Sequence, residues 1–303
     1  MAIKNWKRDM TAYKFPDAIV TTDWLADHLD TPNLRIFDCT TLLEASDDPK
    51  RIYNIISGRA GFETGHIPGA GFLDIQRDLS LRNSPFGFTM PPLPVLADAF
   101  ASAGIDDSHR VILYSRTTPQ WATRVWWMLR AIGFDNVAIL DGGWDKWQAE
   151  GHPVSDTNTD TATPVPAGNI TLHARADVFT DKNGVADAIG NPQCCTINAL
   201  SPDLHAGKDP RYGRAGRIAG SVNVPASDIL NADQTLPTAQ VAADTFTSVG
   251  ADPLKRIILY CGGGIAATMD AFLLHQLGYK NITVYDASMS EWANDRSLPM
   301  EVD

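Results

Sequence analysis

The sequence predicts an α/β protein of two tandem domains, each a mostly parallel sheet flanked by helices. Three observations predict it. Short apolar runs alternate with helix-forming stretches along the 303-residue chain, the pattern of parallel strands joined by crossover helices. The second half repeats the first, element for element. Between them lies 156–168, rich in Thr, Pro and small polar residues, which reads as a linker and leaves domains at 1–155 and 169–303. A chain of this length is also long for a single core.

The repeat can be followed in order. Leu34-Arg35-Ile36-Phe37-Asp38-Cys39 is mirrored by Cys194-Cys195-Thr196-Ile197-Asn198-Ala199, and both read as strands. Gly65-His66-Ile67-Pro68-Gly69-Ala70 is answered by Gly216-Arg217-Ile218-Ala219-Gly220-Ser221. Val111-Ile112-Leu113-Tyr114 matches Ile257-Ile258-Leu259-Tyr260, apolar runs suited to strands covered on both faces. A helix follows in each half, closed by Gly133-Phe134 in one and Gly278-Tyr279 in the other. Last come Val137-Ala138-Ile139-Leu140-Asp141 and Ile282-Thr283-Val284-Tyr285-Asp286. Trp126, Trp127, Trp144, Trp147 and Trp292 read as core and interface packing. The proline-rich stretch from Ser80 to Pro94 reads as a cap on the first sheet, and His66 as a brace within its turn.

The halves differ where chemistry is at stake. Tyr114 is followed by Ser115-Arg116-Thr117-Thr118-Pro119-Gln120, with a proline and no glycine, whereas Tyr260 is followed by Cys261-Gly262-Gly263-Gly264. The helix beyond, Ala266 to Leu277, carries Phe272, Leu273, Leu274 and Leu277 as an apolar stripe, with Gly278 as its C-cap. Cys261 therefore stands between a strand end and a helix N-terminus, where unpaired N–H groups and the helix dipole favour an anion. Three glycines let the backbone turn inward on the sulfur, and such a nest of amides stabilises a thiolate. Cys261 is the candidate nucleophile, and Gly262, Gly263, Gly264, Ile265, Ala266 and Ala267 form the candidate anion-binding loop. The competing reading is a core cysteine before a glycine turn, since free cysteine is often buried. A serine hydrolase at Ser115 lacks the Gly-x-Ser-x-Gly elbow.

Composition narrows the partners. A net charge of −11 argues against nucleic acid, which is bound by clustered Lys and Arg. No apolar run approaches the roughly 20 residues that span a bilayer, and the start Met-Ala-Ile-Lys-Asn-Trp-Lys-Arg-Asp lacks a signal peptide's apolar stretch, so a cytoplasmic location is expected. Cys39, Cys194, Cys195 and Cys261 form no CxxC pair and no zinc spacing with His, so neither structural disulfide nor metal is expected.

Thr22-Asp23-Trp24-Leu25, Phe37-Asp38, Gly65-His66-Ile67-Pro68-Gly69-Ala70, Leu140-Asp141-Gly142-Gly143-Trp144, Tyr212-Gly213-Arg214 and the run from Tyr285-Asp286 to Glu291-Trp292 together resemble the tandem-domain rhodaneses, the thiosulfate and 3-mercaptopyruvate sulfurtransferases. The resemblance spans nearly the whole chain, and its specificity lies in the joint order of these pieces. It implies that Cys261 takes the outer sulfur of a small anionic donor, becomes a persulfide, and passes that sulfur to cyanide or a thiol, a protein thiol included. Such covalent catalysis predicts ping-pong kinetics and needs no metal or organic cofactor.

The resemblance also points to arginines near Lys208-Asp209-Pro210-Arg211-Tyr212-Gly213-Arg214-Ala215-Gly216-Arg217 as donor anchors, making Arg211, Arg214 and Arg217 candidates. The chain departs from its relatives at Leu200 and at Leu204 or His205, where they commonly carry arginine, and at Gly263 and Ala266, where mercaptopyruvate enzymes often carry Ser and Thr. A cysteine phosphatase or arsenate reductase would need an arginine closing the loop, where this chain has Ala266-Ala267-Thr268. A non-enzymatic persulfide carrier or binding module stays open as the alternative, because the same nest would hold a carried persulfide.

Overall fold

The computed structural model describes residues 12–48, 52–156 and 166–303; most of the expected linker lies outside these. The chain divides into two compact units, one of Asp17–Ala176 with Asp233–Thr235, the other of Asp177–Ala232 and Leu236–Asp303 with the described residues up to Pro16. This differs from the sequence division in three short segments, those up to Pro16, 169–176 and Asp233–Thr235, and hydrogen bonds supply the reason for the first two. The amides of His173 and Arg175 donate to the carbonyls of Ile132 and Ala131 in the first unit at 2.9 and 2.8 Å. The Lys14 amide donates to the Gln276 carbonyl in the second unit at 2.7 Å, and the Phe15 ring stacks on His275 at 4.4 Å.

Each unit is built on a five-stranded parallel sheet. In the first the order is Ile19–Val20, Val137–Leu140, Arg110–Tyr114, Leu34–Asp38, Ala70–Phe72. In the second it is Phe179–Thr180, Ile282–Tyr285, Arg256–Tyr260, Cys194–Asn198, Val222–Asn223. Strand order and register agree: Asp38 pairs with Tyr114 as Asn198 pairs with Tyr260. The duplication read from the sequence is a duplication of topology.

Helices cover both sheets. Gln120–Ala131 and Ala266–Gln276 follow the central strands, and Leu93–Ser102 and Ala239–Ser248 precede them. Ala266–Gln276 buries every residue from Ala267 onward, the polar Thr268, Asp270, His275 and Gln276 with the apolar stripe expected there, the mark of a central helix. Its end follows the expected pattern: Gly278 has φ +87°, and the amides of Gly278 and Tyr279 return to the carbonyls of His275 and Leu274 at 2.8 and 3.1 Å.

Side-chain packing explains the tryptophans. Trp144 and Trp147 join Val20, Leu25, Ile36, Ile112 and Leu140 in the first core. Trp292 is wholly buried in the second and donates to the Pro299 carbonyl at 3.0 Å. The Ser80–Pro94 stretch caps the first unit through Phe88, whose ring lies 5.4 Å from that of Trp121 and whose carbonyl accepts from the buried Arg124. The units differ after the second-listed strand pair: the first inserts an antiparallel hairpin, Thr41–Ala45 with Tyr53–Ser57, where the second has the short helix Pro202–Ala206.

Candidate active site

The strand Arg256–Tyr260 ends against Cys261, which is 2% exposed. The main chain here is held from three sides. The Cys261 amide donates to Ser288 Oγ at 3.1 Å, its carbonyl accepts from the Met289 amide at 3.0 Å, and the Gly262 carbonyl accepts from the Ser290 amide and hydroxyl at 2.9 and 2.7 Å. Below it, Tyr260 Oη accepts from the Ile218 amide at 3.1 Å and shares a hydrogen with Ser221 Oγ at 2.8 Å; burial pushes this phenol's pKa up. The strand end is therefore fixed before the loop begins.

Gly264 turns the chain with φ +74°, a conformation that glycine adopts at no steric cost. The helix Ala266–Gln276 starts with no side-chain cap, and among the described residues the amides of Gly263, Ile265, Ala266 and Ala267 donate to no main-chain carbonyl. These N–H groups, next to a buried sulfur, remain available to an anion.

Two residues absent from the sequence prediction complete the site. Ser288 is fully buried and holds φ +51°, left-handed for a residue with a Cβ. Its hydroxyl accepts from Cys261 and donates to the Tyr285 carbonyl at 2.7 Å. The second is Tyr212. A Cβ placed on Gly262 would fall 2.0 Å from Tyr212 Oη, so the phenol rests directly on the Gly262 backbone and requires glycine there.

The three candidate arginines go to different partners. Arg214 donates to four carbonyls, those of Trp292, Ala293, Asp295 and Leu298, at 2.7–3.0 Å. Arg217 donates to Asp303 at 2.6 Å and faces Glu301 at 3.8 Å. Arg211 pairs with the neighbouring Asp209 at 2.8 Å on the surface. Where the resemblance leads one to expect arginine, the Leu200 amide donates to Asn198 Oδ1 at 3.0 Å, Leu204 is buried, and His205 Nδ1 meets Asn198 Nδ2 at 3.1 Å. Burial, then Arg217, lowers the His205 pKa to about 4, so the ring is neutral and its Nδ1 accepts.

In the first unit the equivalent loop is tied to its surroundings by side chains. Asp38, fully buried, accepts from the Thr40 amide at 2.8 Å and from Arg116 Nε at 3.2 Å. The Arg116 guanidinium lies 4.3 Å over the Trp144 ring and also donates to the Gly65 carbonyl. Burial raises the Asp38 pKa against the lowering pull of Thr40 and Arg116. Ser115 Oγ donates to the Thr118 carbonyl at 2.6 Å, and Gly143 stands at φ +56° where the other unit has Ser288. His66 is a brace, its Nδ1 2.8 Å from the Phe62 carbonyl and its ring stacked on Phe62 at 4.1 Å.

Elsewhere among the described residues, Asp23, Glu150 and His152 bring potential metal-ligand atoms within 4.8 Å of one another, but Glu150 is already bonded to Lys146 and Thr22. No helix of the described residues is long and apolar enough to cross a membrane.

Comparison with known proteins accounts for the doubled sheet. The Rhodanese-like domain family matches residues 21–150 and 204–295. A 3-mercaptopyruvate sulfurtransferase of Escherichia coli K12 is 30% identical over 285 residues, covering 93% of this chain and 97% of that protein. A thiosulfate/3-mercaptopyruvate sulfurtransferase of Arabidopsis thaliana is 29% identical over 306 residues, covering 94% and 78%. Among solved structures, the 3-mercaptopyruvate sulfotransferase SseA of Escherichia coli superposes with a TM-score of 0.76 at 28% identity, covering 89% of this chain and 98% of that one. Two matched regions on two sheets of one strand order leave a single assignment: the chain belongs to the rhodanese family, with two tandem rhodanese-like domains.

Proposed function

We propose that the protein is a sulfurtransferase in which Cys261 carries a sulfane sulfur from 3-mercaptopyruvate or thiosulfate to cyanide or a thiol, a protein thiol among them. The observation that carries this reading is the contrast between the duplicated strand ends. Only the second unit has a thiol there, and the loop amides that follow it donate to no main-chain carbonyl among the described residues, whereas in the first unit the amides of Arg116, Thr117 and Thr118 are bonded to Thr40, Asp145 and Arg116.

The Cys261 thiolate attacks the outer sulfur of the donor. The bond from that sulfur to the rest of the donor breaks, and its electron pair leaves with sulfite or with the enolate of pyruvate. The persulfide carries its negative charge on the outer sulfur, within reach of the same N–H groups that held the thiolate. An acceptor then attacks the outer sulfur and returns Cys261 to its starting form, so the two half-reactions are kinetically separate. Of the three candidate arginines, Arg211, paired with the neighbouring Asp209 on the surface, is our candidate for the donor anchor. All four cysteines are free thiols, which suits a reducing, cytoplasmic setting.

Intact mass after brief exposure to each donor, then to cyanide, tests the reading. One added sulfur that cyanide removes is the expected result, and Cys261→Ser should abolish it while the fold persists. Retained turnover in that variant would overturn the mechanism.

A further inference from the structure

The loop from Gly262 to Ala267 offers main-chain N–H groups and no protonatable side chain. That suffices for thiosulfate, whose leaving group departs as sulfite without a proton. It does not suffice for 3-mercaptopyruvate, whose leaving group is an enolate that must be protonated to become pyruvate. Amides stabilise the enolate but do not give up their hydrogens.

Tyr212 brings an acidic hydrogen to this place. Its Oη lies against the backbone of Gly262, the residue next to Cys261, and its side chain is 8% exposed, shielded from bulk water. Its position is built rather than incidental. Asn294 Nδ2 donates to the carbonyls of Tyr212 and Ser290 at 3.2 and 2.9 Å, while Ser290 holds the Gly262 carbonyl. Arg214 adds its four carbonyl contacts around the same helix end. The helix Ser288–Trp292 and its exit thus fix both the phenol and the loop it touches.

We propose that Tyr212 is the proton donor to the pyruvate enolate in the mercaptopyruvate half-reaction. The inference rests on the Cys261 reading given above. The Cys261 thiolate attacks the thiol sulfur of 3-mercaptopyruvate, the carbon–sulfur bond breaks, and the pair stays on carbon as the enolate. The Tyr212 hydroxyl gives its proton to that carbon, completing the methyl group of pyruvate. The phenolate takes back the S–H proton of the new persulfide, which leaves Cys261–S–S⁻ and a neutral tyrosine. One S–S bond forms, one C–S bond breaks, and no proton or electron is left over.

The test compares donors in Tyr212→Phe, which removes only the hydroxyl. Single-turnover pyruvate release from 3-mercaptopyruvate, divided by single-turnover sulfite release from thiosulfate, should fall about 100-fold or more, the ordinary scale of a lost general acid. The Cys261 alkylation rate by iodoacetamide and the melting temperature check that the loop stands. Tyr212→His, which keeps a ring and an ionisable hydrogen, should recover part of the mercaptopyruvate rate with its optimum moved to lower pH. An unchanged donor ratio in the Phe variant would overturn the proposal, whether both rates fall together or neither falls. So would a His variant with the wild-type pH profile, or a wild type that takes sulfur from thiosulfate alone. A wild type that forms no cyanide-labile sulfur adduct with either donor defeats the Cys261 reading instead, and is told apart by that absence.

Discussion

Ser288 Oγ accepts the main-chain hydrogen of Cys261 at 3.1 Å from a left-handed backbone position that the first unit gives to Gly143. A residue with a Cβ held left-handed costs about 1–2 kcal/mol. Here the hydroxyl offsets that cost by satisfying a buried N–H and a buried carbonyl at once. Ser288→Ala should therefore destabilise the chain by about 1–3 kcal/mol, through the orphaned Cys261 amide, and slow persulfide formation about tenfold. Ser288→Gly should regain about 1 kcal/mol of that stability by relieving the backbone, yet remain as slow. Urea denaturation beside persulfide kinetics separates the two effects; equal activity in Gly and wild type would show that the hydroxyl is not needed.

Gly262 and Tyr212 should be energetically coupled. A methyl on Gly262 meets the phenol oxygen at 2.0 Å and its ring carbon Cζ at 2.5 Å, so either the ring or the loop must move. Gly262→Ala is expected to cost about 1–3 kcal/mol, as overpacking does, and most of the sulfur transfer. In Gly262→Ala combined with Tyr212→Ala, the clash is gone, and a double-mutant cycle should return a coupling of about 1 kcal/mol or more. Additive effects would place the two residues out of contact.

Arg214 is expected to act as a brace rather than a donor anchor. Its guanidinium satisfies carbonyls at the exit of the Ser288–Trp292 helix, a task that a lysine's three hydrogens on one nitrogen cannot share out. Arg214→Lys should lower stability by about 2–3 kcal/mol and reduce kcat with both donors while leaving KM close to wild type. A KM increase confined to one donor would assign Arg214 to binding.

Two buried groups set opposite pH limits. Asp270 lies fully buried, its carboxylate oxygens have no hydrogen-bond partner among the described residues, and desolvation raises its pKa well above the ordinary value. The folded chain keeps this proton after the unfolded chain has released it near pH 4, so stability falls as pH rises above about 4. His205, lowered to about 4 by burial and by Arg217, works the other way. The unfolded chain gains its proton near pH 6.5, so stability falls as pH drops from about 6.5 towards 4. Asp270→Asn should raise the melting temperature at neutral pH and flatten the alkaline decline. His205→Gln should flatten the acid decline alone.

Much of this molecule could be read before its structure. The apolar runs of Ile257–Tyr260 and Val111–Tyr114 identify central strands because burial on both faces leaves no polar positions in them. The turn after Cys261 is legible for a different reason: glycines following a strand permit a tight turn that other residues resist, and Gly264 takes it at φ +74°. The role of Tyr212 is not legible in that way. It depends on a contact across 50 positions of sequence, set by Asn294 and Arg214 holding the 210–217 segment to the far end of the chain. The Ser288 hydroxyl was hidden by a backbone angle that its residue type does not advertise. Arg214, legible as positive charge, owes its use to four carbonyls that only the folded chain brings together.

The Arg116 contacts have a consequence for anyone redesigning the first unit. There a guanidinium, a buried carboxylate and an indole ring are packed together as framework. Writing a cysteine at Ser115 would install a thiol beside loop amides that are already bonded to Thr40, Asp145 and Arg116. Removing Arg116 to change that would also take away the counter-charge beside the buried Asp38, so a new thiol and its framework would have to be redesigned together.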